Sequence, residues 1–214
     1  MSSLLLILLT GCGVDGGLAP DRLAEPTSPA PLGLLLSEHR DRLDGVVLGT
    51  VSAIQYLPPE GDAPFARTLV TWDVESEWLS DGPESLTLQL GGGRLLSGDI
   101  QHLSEVPLFN PGEQDLLLLV DEATSPWCPL LGCEAGVVRI IEGRAYTAGG
   151  HALSLDASGV LRAGDVAAHP ALHTFDVDGS TLTLRRPEAS DRTPPAMTTA
   201  DLTAFLHSSF RGDR

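Results

Sequence analysis

The sequence predicts an all-β protein: an OB-like barrel followed by β-hairpins, with one C-terminal helix. Three observations lead there. Glycine and proline are abundant, at 23 and 16 of 214 residues, which suits many short strands joined by turns. Apolar residues alternate at a period of two through residues 69–79. Residues 116–120, L-L-L-L-V, form a continuous apolar run between Asp115 and Asp121, the signature of a strand buried on both faces.

That leucine run needs strands on either side to take its backbone hydrogen bonds. Upstream, residues 45–56 are β-rich, with Gly49 placed where a strand bulges or bends. In residues 69–79, Val70, Trp72, Val74 and Trp78 fall on one face, and Thr71, Asp73, Glu75 and Glu77 on the other. Residues 85–90 alternate again, with Leu86, Leu88 and Leu90 inward. Gly91-Gly92-Gly93 then releases the chain into an irregular segment that turns at Pro111-Gly112 before the leucine run.

Downstream, hairpins become frequent. Residues 137–141 and 144–147 flank Glu142-Gly143; 153–155 and 160–162 flank the turn at 156–159; 174–177 and 181–184 flank Asp178-Gly179. A proline-rich stretch through Pro194-Pro195 ends the sheet. Thr198 and Asp201 then cap a helix whose apolar stripe is Leu202, Phe205, Leu206 and Phe210, stopped by Arg211 and Gly212. At about three turns it is stable only when docked.

Residues 1–12, M-S-S-L-L-L-I-L-L-T-G-C, are apolar but much shorter than the about 20 residues that span a bilayer. They fit the early part of an export signal. Leu9-Thr10-Gly11-Cys12 resembles the lipobox of bacterial lipoproteins, which implies that Cys12 is lipidated and becomes the mature N-terminus. The segment before the apolar run has no Lys or Arg, and the run is shorter than in most such signals; a start upstream of Met1 accounts for both. The competing reading is an apolar N-terminus with a buried thiol. Residues 13–42 read as a Gly/Pro/Ala/Ser-rich tether, 43–186 as the β-domain, and 187–214 as a proline-rich linker with the terminal helix. By resemblance to lipoprotein sorting rules, Gly13 after the cysteine implies the outer membrane, facing the periplasm or the cell surface.

The net charge of -16 argues against nucleic acid and against docking on anionic headgroups by charge. Every basic residue is Arg, and Asn110 is the only asparagine; both read as codon bias. With Cys12 modified, Cys128 and Cys133 remain as an even pair, and an oxidising compartment favours a short-loop disulfide over a metal site. Gly132 permits the reversal that this loop needs, and Trp127 beside it is the first candidate for a contact surface, or else a cover for the barrel's end. His169 and His173 have helical i, i+4 spacing, but Pro170 lies between them and the zincin Glu does not. Asp73, Glu75 and Glu77 share a strand face at roughly 7 Å spacing, better suited to solvent than to Ca²⁺. No nucleophile elbow, phosphate loop or cofactor motif is present, so no cofactor is expected.

Residues 49–51 (G-T-V), the W-D-V-E-S-E-W-L strand, Gly91-Gly92-Gly93, Pro107-x-Phe109-x-x-Gly112-Glu113 with its leucine strand, and Gly136-Val-Val-Arg139 occur in an order like that of uncharacterised secreted proteins and lipoproteins of GC-rich bacteria. The same order is loosely similar to the OB-fold barrels of the netrin and tissue-metalloproteinase-inhibitor class. That resemblance covers under half of the chain. It does not extend to the inhibitors' metal-chelating N-terminal cysteine amine, which lipidation and acylation of Cys12 would block. The expected function is a lipid-anchored, non-catalytic binding or structural module of the cell envelope, with the membrane and an envelope protein as partners. The alternative is an envelope hydrolase or metal-dependent enzyme, whose site would require His102, His151, His169 and His173 to converge with carboxylates.

Overall fold

In the computed structural model, the described residues are 36, 38–59, 65–79, 82–121, 127–168, 174–177, 180–183 and 195–210. Ten strands form the framework: β1 Gly45–Leu57, β2 Arg67–Glu77, β3 Ser85–Gly91, β4 Gly93–Arg94, β5 Ile100–Gln101, β6 Gln114–Leu119, β7 Val137–Ile141, β8 Arg144–Thr147, β9 His151–Leu155 and β10 Leu161–Ala167. Strands β11 Thr174–Val177 and β12 Ser180–Thr183 pair as a separate hairpin, and helix α1 spans Thr199–Phe210. Eight strands form one antiparallel sheet in the order β10-β9-β8-β7-β6-β1-β2-β3, while β4 and β5 pair beside it. The all-β class with a terminal helix is as the sequence indicated.

The OB-like barrel is not formed. The sheet is open, with β10 and β3 at its two edges. Its faces are closed by other means. The leucine strand β6 sends Leu116 and Leu118 into one apolar layer and Leu117 into another. Helix α1 covers the first layer with Leu202, Leu206 and Phe210, while Val106 and Phe109 from the loop before β6 cover the second. With both faces sheltered in this way, the sheet has no need to curl on itself to hide β6.

Two bulges distribute residues between the layers. The β1–β2 register slips between Leu48 and Gly49 and again between Val51 and Ala53. A side chain at Gly49 would lie 2.7 Å from the Asp73 carbonyl oxygen, so only glycine fits this close approach. Each extra residue flips the strand's alternation. Trp72 and Val70 therefore enter the second layer and Trp78 the first, although a regular strand would put all of them on one face.

The hairpins follow their turn residues. Glu142 and Gly143 both take positive φ (51° and 72°), joining β7 to β8 by a two-residue turn. At the β9–β10 turn, hydrogen bonds from Ser158 and Arg162 hold the Asp156 carboxyl well below the usual carboxylate range. The residues between β11 and β12, including Asp178-Gly179, lie outside the described ones. Gly93 does more than release the chain, since it opens β4.

Helix α1 is docked and capped. Thr198 Oγ1 accepts from the Asp201 N–H at 3.1 Å, and the Asp201 carboxylate accepts from the Thr198 hydroxyl at 2.7 Å. The segment before it is stitched to the sheet by Met197 N–H to Leu153 O and Ala145 N–H to Met197 O. Leu36, within the stretch read as a tether, is buried in the same layer, and Arg40 lies over the Phe210 ring. Because Leu206 is fully buried, Leu206→Ala should lower unfolding stability by about 2–5 kcal/mol in urea melts. Phe205→Ala, at a half-buried position, should cost less. Equal, negligible losses would mean that the helix does not hold the layer.

Candidate functional site

Two places combine polar chemistry with shape. The first lies beneath the loop that enters β6. Arg139 in β7 stands directly opposite Asp115 in β6, and both are buried. Arg139 Nη1 donates to Asp115 Oδ1 at 3.2 Å and also to the Glu113 carboxylate, while Nη2 donates to the Leu108 carbonyl. The second Asp115 oxygen accepts from Trp72 Nε1 at 3.2 Å. The Phe109 ring sits under the guanidinium, 4.7 Å from its carbon, and meets Trp72 edge-on at 5.0 Å.

Local geometry explains why the carboxylates converge. Asn110-Pro111-Gly112-Glu113 is a turn closed by Glu113 N–H to Asn110 O, with Gly112 at φ +84° as a type II turn requires. Asn110 donates its backbone N–H and its side-chain amide to Glu113, at 2.9 and 2.7 Å, which aims that carboxylate at Arg139. The single asparagine therefore has a structural post. Burial pushes Asp115 up to about 6; the Arg139 charge opposes this, the Glu113 charge adds to it, and the Trp72 hydrogen bond opposes it. Both Nη atoms of Arg139, both Asp115 oxygens and the Glu113 carboxylate are engaged within the cluster or by the loop. Its chemistry is the fastening of loop to sheet.

The second place is the loop after β6. Cys128 and Cys133 are joined by a disulfide, Cα to Cα 5.7 Å, as the pair count led one to expect. Gly132 at φ +58° makes the reversal between them. Val120 N–H to Pro129 O and Leu131 N–H to Leu118 O align the loop along the end of β6. Trp127 is 41% exposed, rests edge-on against Phe65 at 5.3 Å, and accepts from the Gly91 N–H at 2.7 Å through its carbonyl. A cavity of about 390 Å³ opens here, with Arg42, Glu105, Val106, Trp127 and both cysteines on its wall.

The remaining candidates fall in separate places. His102 is exposed after β5, and His151 starts β9 with its ring nitrogen 2.7 Å from Gly164 O. His169, His173 and Cys12 lie outside the described residues. Glu75 accepts from Thr50 at 2.8 Å and from Gln114 at 2.7 Å. Among the described residues, no group of three His, Cys, Asp or Glu is placed to hold a metal ion. No protein-family model, curated protein or solved structure matches the chain.

The Arg139 cluster was missed by reasoning from sequence, though a signal existed. A lone Arg inside the apolar run V-V-R-I-I must find a carboxylate if its strand is buried. Because its folded value lies above the ordinary 3.8, Asp115 keeps its proton longer in the native state than in the unfolded chain. Its contribution to stability is therefore lost as pH rises from about 4 to 6. Urea titrations should show the wild type gaining on Asp115→Asn by on the order of 2–3 kcal/mol as pH falls through that window. Parallel curves for the two proteins would contradict the assignment.

Proposed function

We propose that this chain is a lipid-anchored envelope protein whose β-domain is a non-catalytic binding module, contacting its partner through the Trp127 loop. The observation that carries this reading is the pinned, partly exposed aromatic beside a disulfide. Rigid aromatics concentrate binding energy at interfaces, and this one is held in place beside a cavity. The disulfide fits an oxidising compartment, as does the L-T-G-C step at Cys12. A diacylglyceryl group on Cys12 would hold the domain at a membrane, and a protein of the envelope is the partner this address offers. The acidic charge makes nucleic acid an unsuitable ligand.

Labelled palmitate should enter the wild-type chain in a bacterial host and be lost with Cys12→Ser. Mass spectrometry of the exported protein, alkylated without reduction, should find Cys128 and Cys133 protected. Pull-down from envelope extract should recover a protein that Trp127→Ala loses while the fold survives. Label retained on Cys12→Ser removes the anchor; two alkylated thiols remove the pinned loop; identical recovery with Trp127→Ala removes the contact surface.

A further inference from the structure

The sheet's two edges are unlike. Strand β10 carries the exposed, charged Arg162, and its register with β9 breaks between Ala163 and Ala167. Charges and irregularities of this kind discourage the addition of a further strand. Strand β3, S-L-T-L-Q-L-G, has neither charge nor proline, and its register with β2 is unbroken from Ser85 to Gly91.

The phase of the ladder says which groups of β3 face outward. Val74 N–H donates to Glu84 O at 2.9 Å, and bonded pairs alternate along an antiparallel ladder. Leu86, Leu88 and Leu90 therefore turn their amides to β2, and Ser85, Thr87, Gln89 and Gly91 turn theirs away. The outward N–H of Gly91 agrees, since it donates to Trp127 O. Among the described residues, no backbone group takes up those of Ser85, Thr87 or Gln89 on this side. The side chains of Ser85 and Thr87 are exposed.

We propose that this edge pairs with the same edge of a second copy, antiparallel about a two-fold axis at Thr87. In that register Thr87 faces its twin and exchanges two bonds with it, and each Ser85 exchanges two with the twin's Gln89. Leu86 lies beside the twin's Leu88, continuing the apolar row of the second layer. The ladder is confined to Ser85 through Gln89, because Trp127, whose carbonyl accepts the Gly91 N–H, already occupies the place beside Gly91. A shift that pairs Ser85 with Gly91 would need the bond held by Trp127. No charged side chain lies within the paired strands. Repulsion between two chains of -16 acts from elsewhere on the surface, so salt strengthens the contact.

Sedimentation equilibrium on the full-length chain carrying Cys12→Ser tests this. The chain should dimerise reversibly, more tightly as salt rises. Thr87→Pro removes an outward donor while sparing the bonds to β2, and should weaken the dimer about tenfold or more relative to Thr87→Val. In the pairing, the Thr87 Cα atoms are about 5.5 Å apart, within disulfide reach, so Thr87→Cys should cross-link on oxidation. Ser85→Cys should not, because its twin lies roughly 13 Å away along the strands. A chain monomeric to about 1 mM at high salt overturns the proposal and leaves the edge to a strand of some other protein. So does a Thr87→Pro chain that associates as well as Thr87→Val, or equal cross-linking at the two positions. If Thr87→Pro fails to fold, the cross-linking pair still decides.

Discussion

A guanidinium buried between two strands is the constraint on which the rest of the structure depends. Arg139 is 2% exposed in a strand otherwise made of Val and Ile. Left alone there, a charge would cost several kcal/mol, so the fold has to deliver partners to it. Asp115 comes from the facing strand, Glu113 and the Leu108 carbonyl from the entering loop, and the Phe109 face from the same loop. Each partner fixes something: the Asp115 pairing sets the β6–β7 register, and the loop contacts bring Val106 and Phe109 down as the lid of the second layer. Trp72 closes the network from β2 and ties in the far side of the sheet.

With one face lidded by that loop and the other by α1, an open sheet can bury its leucine strand on both sides. The loop after β6 then runs along the sheet's end, where the disulfide and the Gly91–Trp127 bond hold it. Ordering from the core thus reaches the most exposed tryptophan of the described chain. The same bond closes one end of the β3 edge, so the proposed contact loop and the open edge share a boundary.

Much of this was legible in the sequence. The period-two strands, the turns at Glu142-Gly143 and Pro111-Gly112, the two-sided burial of residues 116–120 and the docked stripe of α1 are local patterns, and local patterns determine local structure. Sheet closure was not legible, because it depends on what covers each face, and α1 and the 106–110 loop come from opposite sides of β6 in the chain. The split of Trp72 from Trp78 escaped for a related reason. A bulge at Glu75 depends on the long β1 strand across from it, although Gly49 marked the place. Asp115 was read as the boundary of an apolar run, and only its cross-strand partner shows it to be the run's anchor. The disulfide was visible as a pair count and a flexible Gly132, and Trp127 as an aromatic in a loop; their joint cavity required the fold.

A double-mutant cycle across Arg139 and Asp115, read by urea unfolding near pH 7.5, tests the central claim most directly. At that pH Asp115 is ionised in both folded and unfolded chains. Arg139→Met alone should cost about 3–5 kcal/mol, because it strands a buried carboxylate, and should cost about 2 kcal/mol less once Asp115→Asn has removed that charge. If Arg139→Met costs the same in both backgrounds to within about 0.5 kcal/mol, the two residues are not coupled and the buried pair does not organise this fold.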